Sequence, residues 1–218
     1  ASADKIIYDN GDAIGLECGL THGDEAVVLR VCGSLGVPHA YNYAAAAAVG
    51  SLVGVSLARA AETLREHVPP AGRMRLVRGL KNTLIIDDTY NSSPVALTQA
   101  LQTLKEIKNV RRKVAVLGDM LELGQFSVRA HYDAGEQVAT HADILITIGV
   151  RAREIAQGAV SAGMAEETIF QYDDARSAGK EIEMMLREDD VVLVKGSQGL
   201  RLERVVEEIM AHPEEAEH

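Results

Sequence analysis

The stretch Leu84-Ile85-Ile86-Asp87-Asp88-Thr89-Tyr90-Asn91-Ser92-Ser93-Pro94 leaves an apolar run, crosses a polar turn and enters a helix at a proline. Pro94 suits the first helical position, where its missing N–H would be unpaired in any case, and Ser93 stands before it as a cap for the free amides. A helix start therefore faces the turn. Its exposed N–H groups and positive dipole end favour an anion, while the two carboxylates just before it suit a hydroxyl or a hydrated cation. This combination points to nucleotide chemistry. The plain alternative is a strand-to-helix loop with a capping serine, although two acids followed by Tyr90-Asn91 exceed what capping needs.

Downstream of that turn the strand-then-helix unit repeats. Short apolar runs predict strands at 83–88, 113–118, 143–149, 168–172 and 190–195, and amphipathic stretches predict helices over 94–107, 127–141, 151–162, 174–187 and 200–211. Strands as continuously apolar as Val114-Ala115-Val116-Leu117 and Val191-Val192-Leu193-Val194 need cover on both sides. The fold class is thus α/β, a Rossmann-like, mostly parallel sheet with helices on both faces.

Upstream the pattern differs. Apolar pieces from Lys5 to Val31, separated by Asn10-Gly11 and His22-Gly23-Asp24, predict an antiparallel meander. An alanine-rich helix after Asn42-Tyr43, ended near Gly54, and a second helix from Leu57 to His67, stopped by Pro69-Pro70, complete a smaller piece. The change of pattern near Gly72 to Gly79 divides the chain into 1–79 and 80–218. Strands 5–31 are expected to leave unpaired edges and an orphan apolar face, which favours self-association. The acidic tail after His212 is expected to fray.

Composition limits the partners. The 218 residues, 47% of them hydrophobic, are enough for a real core, and a formal net charge of −10 argues against nucleic acid or an anionic membrane surface. No apolar run approaches the roughly 20 residues of a membrane span, and Ala1-Ser2-Ala3-Asp4 carries no signal-peptide pattern. Cys18 and Cys32 sit in no zinc or redox motif, which suits a reducing compartment, with the cytoplasm as the default.

Ligands of open parallel sheets gather beyond the carboxyl ends of the strands, and two further strand ends carry chemistry. In Gly118-Asp119-Met120-Leu121-Glu122-Leu123-Gly124 the glycines bracket two acids and apolar residues that look exposed; a flexible loop with solvated carboxylates is the equal alternative. In Lys195-Gly196-Ser197-Gln198-Gly199 a cation and a hydroxyl at a strand end suit a carboxylate or phosphate, against a lysine that merely snorkels. Arg73, near the boundary, is placed to reach a ligand, with Arg75 and Arg78 as solvated neighbours. Asn42 either reads an adenine edge through its amide or caps the alanine helix, and capping is the simpler reading. His131, His141 and His67 have no partner at metal spacing and read as surface residues. No GxxxxGK[ST] phosphate loop, GxGxxG after the first strand, HExxH or nucleophile elbow is present in this sequence.

Asp88-Thr89-Tyr90-Asn91 with Pro94, then Gly118-Asp119-Met120 with Glu122-Leu123-Gly124, then Lys195-Gly196-Ser197, in this order, resemble the Mur ligases of peptidoglycan synthesis. Within that family the middle motif is most similar to the branch that joins D-alanyl-D-alanine to a UDP-N-acetylmuramoyl-tripeptide. The resemblance covers the end of the family's central ATP-binding domain, roughly residues 1–79, and its whole C-terminal Rossmann-like domain from there to about Ala211. It implies ATP contacts from Asn42, Arg73, Asp88, Asn91 and Ser92, with Asp88 as the ribose-binding aspartate, and positions near the incoming amino-acid substrate for Lys195 and Ser197. Asp119 and Glu122 fall in a loop to which the resemblance gives no defined role. Pro38-His39 departs from the His-Asn that commonly precedes the alanine helix in the family.

The implied reaction phosphorylates a peptide carboxylate with ATP, and an amine then attacks the acyl phosphate. The phosphate loop, the modified lysine and the magnesium ligands of the family match no residues of this sequence, so the chain is expected to be a C-terminal portion that does not turn over by itself. Two alternatives stand beside this: a non-catalytic Rossmann-like module that binds a nucleotide or peptide precursor, and a sister ligase adding another amino acid.

Overall fold

The computed structural model describes residues 5–212, so Ala1-Ser2-Ala3-Asp4 and the acidic tail after His212 lie outside the described residues. Two compact units divide between Pro70 and Ala71.

The first unit is the meander and two helices expected from the sequence. Strands β1 (Lys5–Asp9), β2 (Asp12–His22) and β3 (Glu25–Cys32) pair antiparallel in the order β1-β2-β3. The tight Asn10-Gly11 turn closes the first hairpin, both residues having positive φ (50° and 102°), as the twist of a two-residue hairpin requires. Alternate residues Leu16, Cys18, Leu20, Leu29 and Val31 pack under Ala40, Tyr43 and Ala47 of α1 (Val37–Leu52) and Leu57 and Ala61 of α2 (Leu57–Leu64). The apolar face of the sheet is therefore covered, not orphaned as the sequence suggested. Its other face carries polar pairs such as Arg30 Nε donating to Glu17 at 2.6 Å. Both outer edges lack a strand partner among the described residues.

Helix α1 begins earlier than the alanine run implied. Gly36, at φ 99°, breaks the chain and Pro38 sits in the first turn, where proline is preorganised for a helix. It ends as expected at Gly54: the Gly54 and Val55 amides donate to the Ser51 and Gly50 carbonyls, a Schellman closure.

The second unit is built on one sheet ordered β4-β5-β9-β6-β7-β8, with β4 (Arg75–Arg78), β5 (Leu84–Asp88), β6 (Lys113–Gly118), β7 (Ile144–Ile148), β8 (Ile169–Tyr172) and β9 (Val191–Lys195). All neighbours are parallel except β4, which runs antiparallel to β5 at the edge. Strand β4 was not legible in advance: four residues flanked by arginines give too short an apolar signal. Because it pairs with β5, the boundary lies at 70/71 and not at 79/80.

Helices α3 (Pro94–Glu106), α4 (Ser127–Val138) and α5 (Arg153–Ser161) pack in sequence, and α6 (Ala175–Met185) packs on α7 (Glu203–Ile209). The core beneath α6 and α7 holds Ile85, Val114, Val116, Ile146, Ile148, Val192 and Val194, whose neighbours in each strand point the other way. The last helix stops at Ile209, short of the expected 211, and Met210 forms a bridge with Gly79 beside β4. At the amino ends of the central strands the Arg112 guanidinium grips Asp190 through two bonds, Nε to Oδ1 at 2.9 Å and Nη2 to Oδ2 at 2.5 Å. No helix among the described residues is long and apolar enough to cross a membrane.

Helices α4 and α5 meet through glycines. A Cβ on Gly135 would lie 2.0 Å from the Ile155 carbonyl oxygen, and one on Gly158 would lie 2.1 Å from that of Tyr132. In a free helix, glycine to alanine gains about 1 kcal/mol. Here the sign is expected to reverse: Gly135→Ala should destabilise by ~1–3 kcal/mol because the obstructing atoms are backbone. Urea denaturation of the 218-residue chain measures this, and a neutral or stabilising result would contradict the packing.

Candidate functional site

Strand β9 is the last in sequence, yet it lies between β5 and β6. The helix that follows it, α7, covers one face, while those that follow β5 and β6, α3 and α4, cover the other. The chain thus diverges on both sides of the carboxyl end of β9, the arrangement at which open α/β sheets form ligand crevices. All three motifs singled out in the sequence meet here.

In the first turn, Asp87 is buried and organises its surroundings. Its Oδ2 accepts the Gly72 amide at 2.8 Å, and its Oδ1 accepts the Thr89 hydroxyl at 2.7 Å and the Thr89 amide at 3.3 Å. Gly72 returns the link, its carbonyl accepting the Tyr90 amide at 3.0 Å. It does so at φ 73°, where an added Cβ would come within 2.9 Å of the Tyr90 nitrogen. The segment before β4 is thereby laced to the turn after β5. On the solvent side Arg73 stacks over Tyr90, its guanidinium carbon 4.1 Å from the ring centroid.

Asp88 is held from two sides. Its Oδ1 accepts the Met74 amide at 3.2 Å and its Oδ2 accepts the Lys195 ammonium at 2.6 Å. Lys195 is 2% exposed and also donates to the Asn91 carbonyl at 2.9 Å, so it is an internal strut, not the snorkelling side chain weighed above. Burial pushes the Asp88 carboxyl above its ordinary value, with the Lys195 ammonium and the Met74 amide opposing that rise. Asn91 is exposed and its Oδ1 accepts the Ser92 amide at 2.8 Å; Ser92 is buried. Ser93 caps α3 as expected, accepting the Ala96 amide at 3.4 Å.

The second and third motifs are joined to one another. The Ser197 amide donates to the Asp119 carbonyl at 3.0 Å, and the Ser197 hydroxyl accepts the Leu121 amide at 2.9 Å. Asp119 is no solvated carboxylate: it is 4% exposed, accepts the Ala152 amide at the start of α5 at 2.7 Å, and lies 3.5 Å from Arg151. Met120, expected to be exposed, is fully buried, whereas Glu122 is exposed in a left-handed conformation at φ 65°. A groove of about 320 Å³ opens between the starts of α3 and α4, lined by Pro94, Phe126, Arg129 and Asp133 among others.

Several placements differ from the sequence reading. Asn42 does not precede its helix but sits exposed within α1, so it is not a cap, and it belongs to the first unit. His131 is not a surface residue but fully buried. Sequence reasoning missed Arg151, which becomes noticeable only once Asp119 is seen beside it, and missed Tyr90 as the partner of Arg73. The paired carboxylates Asp87 and Asp88 do not present a cation site, since their oxygens meet backbone amides, a hydroxyl and Lys195. No group of three or more His, Cys, Asp or Glu side chains that could hold a metal ion occurs among the described residues.

Removing the ammonium by Lys195→Met leaves a half-buried carboxylate without its counter-charge and should destabilise the chain by ~3 kcal/mol, whereas the double variant with Asp88→Asn should recover most of the loss. The sign of the pH dependence follows from the raised Asp88 pKa. Stability tied to a raised carboxyl is fully present below its unfolded pKa and is lost as pH rises through the folded one. The single-variant deficit should therefore be complete at neutral pH and narrow as acid protonates Asp88, which denaturation at several pH values measures.

The family described as Mur ligase, glutamate ligase domain, matches residues 72–198. UDP-N-acetylmuramoyl-tripeptide–D-alanyl-D-alanine ligases are similar: that of Mycobacterium tuberculosis (strain H37Rv) is 33% identical over 214 residues, covering 87% of this chain and 41% of that protein. That of Escherichia coli (strain K12) is 31% identical over 196 residues, covering 85% of this chain and 41% of that protein. Among solved structures, a MurF from Acinetobacter baumannii superimposes with a TM-score of 0.75 at 26% identity, covering 88% of this chain and 42% of that one. The MurF ligase of Thermotoga maritima, solved in complex with ADP, shares the fold with a TM-score of 0.74 at 24% identity, covering 97% of this chain and 45% of its own. This chain spans about two fifths of the length of the curated relatives it matches. With the family model matching more than half of its residues, the chain belongs to the Mur ligase family.

Proposed function

We propose that this chain is the C-terminal portion of an ATP-dependent ligase that joins D-alanyl-D-alanine to a UDP-N-acetylmuramoyl-tripeptide. The observation that carries the reading is the convergence of the 87–94, 118–124 and 195–199 segments at the carboxyl end of one inserted strand, in a chain similar to ligases of that name. In this reaction the peptide carboxylate attacks the γ-phosphorus of ATP and ADP leaves. The dipeptide amine then attacks the acyl carbon, phosphate leaves with the C–O bond, and the amine proton passes to solvent.

In this reading Arg73, Asn91 and Ser92 contact the nucleotide. The exposed Arg73–Tyr90 stack supplies a cation and an aromatic face for it. Asp88 and Lys195 hold the turn in shape for that contact, and Asp88 keeps the lone pairs left by its two bonds for a ribose hydroxyl. The 195–197 end, with Ser197 tied to Leu121, serves the dipeptide side. Magnesium, when bound, would neutralise the transferring phosphoryl group. In this reading the reaction, with its UDP-linked and ATP substrates, belongs to the cytoplasm.

The protein extended to the length of its relatives should release phosphate from ATP only when both the UDP-tripeptide and D-alanyl-D-alanine are supplied. Release independent of the dipeptide would overturn the reading. Arg73→Ala in that protein should raise the KM for ATP about tenfold, equivalent to ~1.4 kcal/mol, with little change for the dipeptide. Calorimetry on the 218-residue chain with ATP, ADP and D-alanyl-D-alanine should show no tight binding. Tight binding of one of them would favour a dedicated binding module instead.

A further inference from the structure

His131 is a buried group beside the site whose chemistry the proposed reaction leaves unused. It lies on α4 with no exposed surface, and both ring nitrogens have partners. Its Nδ1 is 2.7 Å from the Ser127 carbonyl oxygen and its Nε2 accepts the Met120 amide at 2.8 Å. A carbonyl only accepts and an amide only donates, so the ring is neutral with its hydrogen on Nδ1. A buried imidazole costs free energy unless both nitrogens are satisfied, and this pair of bonds satisfies them in one orientation only.

Met120 lies where the 118–124 loop would otherwise have an unpaired buried amide. The residues around it are fixed by other elements: Asp119 by the Ala152 amide of α5, and Leu121 by the Ser197 hydroxyl beyond β9. His131 supplies the bond between those two anchors, from α4. Beyond it the chain turns through two left-handed residues, Glu122 at φ 65° and Gly124 at φ 53°, carrying the half-buried Leu121 and Leu123 and the exposed Glu122 around the tip. A slip of the Met120 amide would move every one of these side chains.

We propose that His131, through its Nδ1–H tautomer, is the positioning residue that sets the conformation of the 118–124 loop for the substrate held beside Ser197. Only the identity of that substrate rests on the ligase reading above; the positioning itself does not. The two bonds separate by substitution. Glutamine can bring an oxygen near the Nε2 position and keep the Met120 bond, whereas leucine removes both bonds at similar volume.

The test begins with the 218-residue chain. At neutral pH, nitrogen NMR should show His131 Nδ1 protonated, Nε2 bare, and a through-hydrogen-bond coupling between Nε2 and the Met120 amide nitrogen. In His131→Leu the Met120 and Leu121 amides should exchange about tenfold faster, with β6 and β7 unchanged, and His131→Gln should restore most of the protection. In the protein extended to the relatives' length, His131→Leu should raise the KM for D-alanyl-D-alanine about tenfold while the KM for ATP holds, and His131→Gln should reverse the rise. A protonated Nε2, unchanged Met120 exchange in His131→Leu, or equal loss in both variants overturns the proposal. Should the leucine variant fail to fold, the coupling in the unaltered chain and the glutamine variant decide. Absence of dipeptide-dependent turnover in the unaltered long protein would overturn the ligase reading and leave the exchange result to judge His131.

Discussion

A buried ammonium meeting a half-buried carboxylate at the carboxyl end of the central strands organises this molecule. Lys195 and Asp88 are register partners across β9 and β5, separated by 107 positions in sequence, with 2.6 Å between Nζ and Oδ2. Neither group belongs in an apolar sheet by itself, and the interior can hold them only together and with further bonds, which the Asn91 carbonyl and the Met74 amide supply. The same pair fixes the strand order locally, because β9 must lie beside β5 for the charges to meet. It also draws the 71–74 segment onto the turn after β5. At the opposite end, Arg112 and Asp190 join the residues that lead into β6 and β9. The inserted strand is thus held by an ion pair at each end and by wholly buried aliphatic side chains between them.

From this strand the candidate ligand edge is assembled by short polar links and not by a preformed cage. Asp87 joins Gly72 to Thr89, Asp119 joins the 118–124 loop to α5, Ser197 joins it to β9, and His131 joins it to α4. Each link satisfies a backbone amide in a segment that has no ladder of its own, and an unpaired buried amide would cost roughly 1–3 kcal/mol. The residues that remain exposed, Arg73, Tyr90, Asn91 and Glu122, stand on scaffolding that these buried polar groups hold. Several residues that look like ligand groups in sequence are therefore bonded into the scaffold beneath the exposed ones. This division of labour is common where a rigid sheet positions mobile chemistry.

Much of this was legible beforehand because it follows from local rules. The alternation of apolar runs and amphipathic stretches gave every parallel strand and its helix, and Ser93-Pro94 gave the start of α3. The three chemical segments were recognisable from residue type and spacing. The errors have equally physical origins. Strand β4 is too short for periodicity to register, and α1 starts at a Gly36-Val37-Pro38 signal that the alanine run overshadows. His131 shares its helix with charged and polar neighbours, so nothing in the sequence says that its face is buried.

The sequence by itself determined the secondary elements, the α/β class and where the polar strand ends fall, because propensity, hydrophobic period and capping act over a few residues. Only the tertiary structure decided what each polar side chain does there. The insertion of β9 between β5 and β6 turns Lys195 inward, buries Asp119 against the start of α5 and brings His131 to the Met120 amide. Those roles are pairings between positions far apart in the chain. A carboxylate, an ammonium or an imidazole has no role until its partner and its burial are fixed, and both are properties of the folded sheet.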